Sequence, residues 1–144
     1  MPVGNFTLWD VLINTNESVA ALLAMKTWAV IGLGNNPNRP AFGVAKLLQD
    51  KGHRIIPVHP SAEVVHGEVG YKTLAEIPDS IDVVDCFVNS QLVGDIVDQA
   101  IAVGAKAVWL QLDVIDHAAI SRAQAAGLLT VMDRCPAIEY RARA

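Results

Sequence analysis

Apolar residues in this chain fall into short continuous runs, separated by helical spacings and punctuated by glycine. Thr27, Trp28, Ala29, Val30 and Ile31 form one such run, closed by Gly32, and read as a first strand. Val44, Leu47 and Leu48 then recur at helical spacing, with Gly52 as the stop. Residues 54–58 (RIIPV) predict a second strand, with Pro57 placing a missing donor near its end. Residues 81–87 (IDVVDCF) predict a third. Leu92, Val93, Ile96, Val97, Ala100 and Ile101 lie on one helical face that ends at Gly104. Residues 107–110 (AVWL) predict a fourth strand. Asp116 is placed to cap a helix that turns Ile120 and Ala123 inward and ends at Gly127. Residues 128–132 (LLTVM) predict a fifth strand, and Pro136 suits the first turn of a closing helix. Residues 60–78 are less regular and predict a loop, a short strand near Glu68 and Val69, and a helical turn over 73–77. The first 25 residues predict one or two helices on the sheet edge, anchored by Trp9 and Leu12.

Continuous apolar runs, rather than alternating ones, mark strands buried on both faces. Strand, helix, glycine and strand in repeated order imply right-handed crossovers. The expected architecture is α/β: a three-layer, Rossmann-like, doubly wound parallel sheet of about five strands. No linker divides the chain, so residues 1–144 are expected to form one domain, with 1–25 as a helical extension. An apolar content of 52% fits a sheet covered on both faces. Some of that surplus could instead line a subunit interface, so a homodimer is the matching expectation.

The net charge of −4 argues against a nucleic-acid partner, which requires a basic face. The apolar stretch 19–25 is too short for a membrane span and stops at Lys26. No membrane association and a cytoplasmic location are therefore expected. The two cysteines, Cys86 and Cys135, form no CxxC pair and read as reduced thiols. No histidine pair has metal-ligand spacing, so no metal is expected. GxSxG, GxxxxGK[ST] and HExxH are all absent.

In a doubly wound sheet, ligands bind beyond the carboxyl ends of the strands. The loop after the first strand reads Gly32, Leu33, Gly34, Asn35, Asn36, Pro37, Asn38, Arg39, Pro40. Its glycines let the backbone approach a phosphate, its asparagines and Arg39 supply donors, and a helix N-terminus follows. A plain tight turn is the competing reading. Pro37 stands where the dinucleotide fingerprint has its third glycine. The second strand ends in Val58, His59 and Pro60, with no carboxylate to hold a ribose diol. That favours a phosphorylated ribose, as in coenzyme A or NADP, over NAD. Phe87 closes the third strand and Asn89 follows it, and Gln111 ends the fourth, where it serves either a ligand or a turn. Asp82 and Asp85 are three apart on a strand and form no acid–base pair there. Cys135 precedes the last helix, as a small buried residue or a reactive thiol.

With these loops in view, the chain resembles the small bacterial and archaeal CoA-binding domain proteins, which are related to the N-terminal nucleotide domain of the succinyl-CoA synthetase alpha subunit. The resemblance rests on residues 28–32 (WAVIG), 38–40 (NRP), 52–60 (GHRIIPVHP), 73–78 (TLAEIP), 100–112 (AIAVGAKAVWLQL) and 131–140 (VMDRCPAIEY). It implies a Rossmann-like fold and coenzyme A at the strand ends. Gly32, Gly34 and residues 35–39 would face the pyrophosphate, His59 and Pro60 the adenosine end, and residues 87–90 another wall. The chain departs from the family at Leu33 and Gly34, where a small residue and serine are usual. It departs again at His59, where asparagine is usual, and at Val88, where an arginine is common. The synthetase domain that carries the phosphorylated histidine has no counterpart, so ligase activity is not expected.

Three functions remain open on the residues alone. The chain is a non-catalytic binder of coenzyme A or acyl-CoA, an enzyme using NADP or another nucleotide, or an interaction domain with a degenerate site.

Overall fold

A computed structural model describes residues 13–143 of the chain. Trp9 and Leu12 lie outside them. The elements run α1 (Asn16–Leu23), β1 (Thr27–Ile31), α2 (Pro40–Asp50), β2 (Arg54–Val58), a 3-10 turn (Leu74–Glu76), β3 (Val83–Cys86), α3 (Ser90–Ala102), β4 (Ala107–Leu110), α4 (His117–Ala125), β5 (Leu129–Val131) and α5 (Pro136–Ala142). The five strands form one sheet in the order β2-β1-β3-β4-β5. Every pairing is parallel, with Ala29 beside Ile56 and Val84, and Val84 beside Val108. This is the α/β Rossmann-like fold that the apolar runs predict.

Side chains alternate between two cores along each strand, as the two-residue period of a strand requires. Ala29, Ile31, Ile56, Val84, Cys86, Val108 and Leu110 face α3, α4 and the 3-10 turn. Trp28, Val30, Ile55, Val83, Ala107 and Trp109 face α1 and α2. Trp28 and Trp109 meet on that second face with ring centroids 5.6 Å apart. Each buried indole keeps its N–H bonded, to the carbonyl of Met25 and of Arg134 respectively.

Three helix starts are fixed by side-chain caps. Thr15, Asn89 and Asp116 accept from the first-turn N–H groups of α1, α3 and α4. α3 stops where expected, with Gly104 just past its end at φ +75°. β3 and β5 are shorter than the apolar runs that announced them, because Ile81, Phe87, Leu128 and Met132 pack as loop residues on the cores. The strand expected near Glu68 and Val69 is only a bridge between Val65 and Glu68, and Tyr71 bridges to Val58. Pro57 is tolerated because β2 is an edge strand. The opposite edge, β5, is covered from the chain's own start. The Asn14 amide donates to the carbonyl of Met132 and accepts from its N–H, and Ser18 donates to the carbonyl of Thr130.

Two buried titratable groups sit on the Trp28 face of the sheet. His53 Nδ1 lies 2.7 Å from the Met25 carbonyl and therefore carries the ring proton. Its Nε2 bonds the Tyr140 hydroxyl, which ties α5 to the start of β2. Burial lowers the pKa of His53 below its ordinary value, against the Met25 hydrogen bond. Asp85, in the middle strand, is fully buried; burial raises it to about 7, with the Gln111 hydrogen bond acting the other way.

The two groups give opposite pH dependences. An unfolded histidine binds its proton more readily than His53 does, so the neutral ring's contribution is complete above about pH 6.5 and is lost as pH falls through the lowered value. Urea unfolding should therefore show wild type losing stability relative to His53→Phe between pH 7.5 and 5. For Asp85 the folded chain holds the proton that the unfolded chain has released. Wild type should lose ~3 kcal/mol relative to Asp85→Asn as pH rises from about 5 to 8. A flat difference in either series would refute the corresponding burial argument.

Candidate functional site

β1 feeds α2 on one face of the sheet, and its neighbour β3 feeds α3 on the other. Their chains part at the carboxyl ends, and a crevice opens there. It is a cavity of about 920 Å³, within the range of small-molecule sites. Of the residues singled out from the sequence as ligand contacts, Gly32, Gly34, Asn35, Asn36, Arg39, Pro40, His59, Pro60, Phe87, Val88, Asn89 and Gln111 line it, whereas Leu33, Pro37, Asn38 and Ser90 do not. Ala41, Val44, Glu63, Leu92 and Val114 also line it, and the sequence reading names none of them as a ligand contact.

The loop after β1 is shaped by Gly32. Its φ is +91°, its N–H donates to the Val58 carbonyl at 2.8 Å, and a Cβ there would stand 2.5 Å from the Phe87 carbonyl oxygen. Only glycine fits. The turn sends Leu33 inward, where it is fully buried against α2. Leu33 is therefore a core residue, and its side chain is unavailable to a ligand. The Asn35 amide donates to the carbonyl of Val64 and so tethers the 60s loop, spending one of the donors expected for a phosphate. Asn36 accepts from the N–H of Asn38 and shapes the turn. Arg39 caps α2 with no side-chain hydrogen bond, and Pro40 opens the helix. The N-terminal end of α2, unlike those of α1, α3 and α4, thus meets the cavity without a side-chain cap.

His59 faces this loop from the end of β2. Its Nδ1 accepts from the N–H of Ser61 at 3.1 Å, so the neutral ring carries its proton on Nε2. A Cβ on Gly34 would stand 3.5 Å from that Nε2 and 3.6 Å from Glu63 Oε1. His59 therefore offers the cavity a donor. The Ser61 hydroxyl, in turn, lies within hydrogen-bond distance of both His59 and Glu63. Glu63 corrects the sequence reading, which found no acid at the end of the second strand. The 60s loop folds back far enough to bring a carboxylate five residues beyond β2 into the cavity wall.

The floor lies under β3 and β4. Gln111 donates from Nε2 to Asp85 Oδ1 at 2.7 Å, and Asp85 Oδ2 has no hydrogen-bond partner. Asp82, at the mouth of the strand, instead accepts from the Thr27 N–H and pairs with Lys106. The two aspartates are separated, as their spacing predicts. Asp116 caps α4 as expected, while Asp113 sits at φ +66° with its N–H held by Asp133. Cys135 lines the cavity ahead of α5, whereas Cys86 is buried, its thiol pushed up by burial and by Asp85. Of the remaining histidines, His66 contacts the Phe42 carbonyl and takes no part in the cavity. Among the described residues, no group of three or more His, Cys, Asp or Glu side chains could hold a metal ion, and no helix is long and apolar enough to cross a membrane.

Comparison with known proteins bears on the fold and the family. A Bacillus subtilis protein of uncharacterized role, YneT, is 31% identical over 110 residues, spanning 76% of this chain and 82% of that one. A solved structure of a hypothetical protein from Pyrococcus horikoshii superposes with a TM-score of 0.88 at 36% identity, covering 97% of this chain and 98% of that chain. The dinucleotide forming acetyl-coenzyme A synthetase 1 of Ca. Korarchaeum cryptofilum superposes with a TM-score of 0.69 over 80% of this chain and 28% of that one; at 19% identity the likeness is one of fold. The family model for the CoA binding domain matches residues 26–141, and the chain belongs to that family.

Proposed function

We propose that the cavity binds coenzyme A or an acyl-CoA, and that the chain acts as a binding module rather than an enzyme. The observation that carries this reading is the junction of Gly32, Gly34 and the uncapped start of α2 in one wall of the cavity. Backbone N–H groups and the positive end of a helix dipole favour a phosphate there. Arg39 adds a cation, and the Nε2–H of His59 adds a donor across from Gly34. Val88, Leu92, Leu112 and Val114 give the other end an apolar lining suited to a thioester arm. The polar groups of the lining hold and orient; Asp85, whose pKa burial raises, lies buried under Gln111, out of reach of a reacting atom.

Glu63 supports a second reading. A carboxylate beside Gly34 suits the free ribose hydroxyls of a dinucleotide better than a ribose phosphate. On that reading the chain uses a dinucleotide such as NAD, and Glu63 is its ribose acid.

Titration calorimetry with coenzyme A, NAD and NADPH separates the two. Coenzyme A is expected to bind at micromolar Kd, about −8 kcal/mol, with no NAD heat. Arg39→Ala should weaken coenzyme A about tenfold, a loss of ~1.4 kcal/mol. Gly34→Val should abolish binding with the circular dichroism unchanged, because its side chain fills the space against His59. No coenzyme A heat up to millimolar ligand sinks the first reading. NAD binding that is lost in Glu63→Gln establishes the second.

A further inference from the structure

Asp85 is an expensive residue where it stands. It is fully buried between Val30 and Trp109, the residues beside it in the sheet, and one of its carboxyl oxygens has no hydrogen bond. A buried polar atom without a partner destabilises a fold, and an apolar side chain would avoid it. Its one hydrogen bond points upward, to the Nε2 of Gln111. Gln111 is itself buried except where it meets the cavity. Its backbone is pinned as well, by the Cys86 carbonyl and the Val114 N–H.

A glutamine amide on its own can turn over, exchanging its donor and acceptor ends. Asp85 Oδ1 accepts from Nε2 whether the carboxyl is ionised or keeps its proton on Oδ2, and so selects one of the two orientations. With Nε2 held down by Asp85, Gln111 Oε1 makes no hydrogen bond among the described residues. It is the acceptor left for whatever occupies the cavity. Resting on the coenzyme A reading, we propose that Asp85 is a positioning residue that locks the Gln111 amide so that its Oε1 accepts from an amide N–H or hydroxyl on the ligand's pantetheine arm. The ends of β1 and β4 lie two strand spacings apart, ~10 Å, with β3 between them. A ligand with its phosphates at the start of α2 thus reaches Gln111 with its arm and not with its phosphates. Near Gln111 the lining turns apolar at Leu112 and Val114, which suits that arm.

The test is a calorimetric double-mutant cycle with coenzyme A and, as an armless control, adenosine 3′,5′-bisphosphate. Gln111→Leu and Asp85→Leu should each weaken coenzyme A about tenfold and leave the bisphosphate within about twofold. The double variant should be no worse than Gln111→Leu alone, because both changes remove one interaction. Asp85→Asn, which keeps a carbonyl facing Nε2, should restore the affinity. Additive losses, or equal losses for both ligands, overturn the proposal. Should Asp85→Leu not fold, nitrogen-15 spectra of wild type and Asp85→Asn decide. In wild type one Gln111 side-chain N–H proton, bonded to Asp85, should be shifted downfield, be protected from exchange with water and move as Asp85 titrates; a proton at the free-glutamine position that exchanges freely and ignores pH overturns the lock. If wild type itself gives no coenzyme A heat, the function reading fails and the arm assignment falls with it. If wild type binds and Asp85→Leu does not differ from it, the positioning role alone is overturned.

Discussion

The rest of the molecule depends on one constraint: a parallel sheet must be covered on both faces, and its two central neighbours cover opposite ones. β1 and β3 lie side by side, yet α2 leaves β1 for the tryptophan face and α3 leaves β3 for the other. Two chains that leave adjacent strands in opposite directions cannot both close over the strand ends. A crevice is the geometric remainder. Its depth comes from burial elsewhere, since the apolar strands must pack before loops can be held apart above them.

That packing sets strict terms where the two chains part. Gly32 passes so near the Phe87 carbonyl that no side chain is possible, and its N–H ties β1 to Val58 of the edge strand. The point at which a ligand can approach backbone is thus also the point at which three strands are fastened together. The two tryptophans on the face below show the same economy of space. They touch across the width of β3, and each spends its one donor on a loop carbonyl, at Met25 and at Arg134. Those carbonyls belong to the connections into β1 and α5, so the core also sets where these connections run.

Most of the fold was legible because its signals are local. Runs such as Thr27–Ile31 and Arg54–Val58 are apolar on both faces, and the cap Asp116 stands directly before its helix, whereas Asn89, read as a ligand contact, also caps α3. The site was legible only where position along the chain decides it, in the loops after each strand. What failed was direction and distance. Leu33 has the right place in the glycine loop, but the backbone turn at Gly32 sends its side chain into the core. Asn35 looks like a phosphate donor until the Val64 carbonyl is found beside it, 29 residues on. Glu63 enters the cavity through the return of an irregular loop, and no periodicity announces such a return. Asp85 reads from sequence as one of two separated strand acids; its relation to Gln111 exists only because β3 and β4 pair in register.

The grip of Asn14 on Met132 has a consequence for how these molecules behave together. Through one planar amide, the side chain satisfies both backbone groups of a residue just beyond the last strand, much as a neighbouring strand would. Ser18 takes the Thr130 carbonyl two residues earlier. This border of the sheet is therefore already occupied by the chain itself. A second molecule arriving there finds carbonyls that are already engaged, and the short sheet is protected from growing by polymerisation from that side.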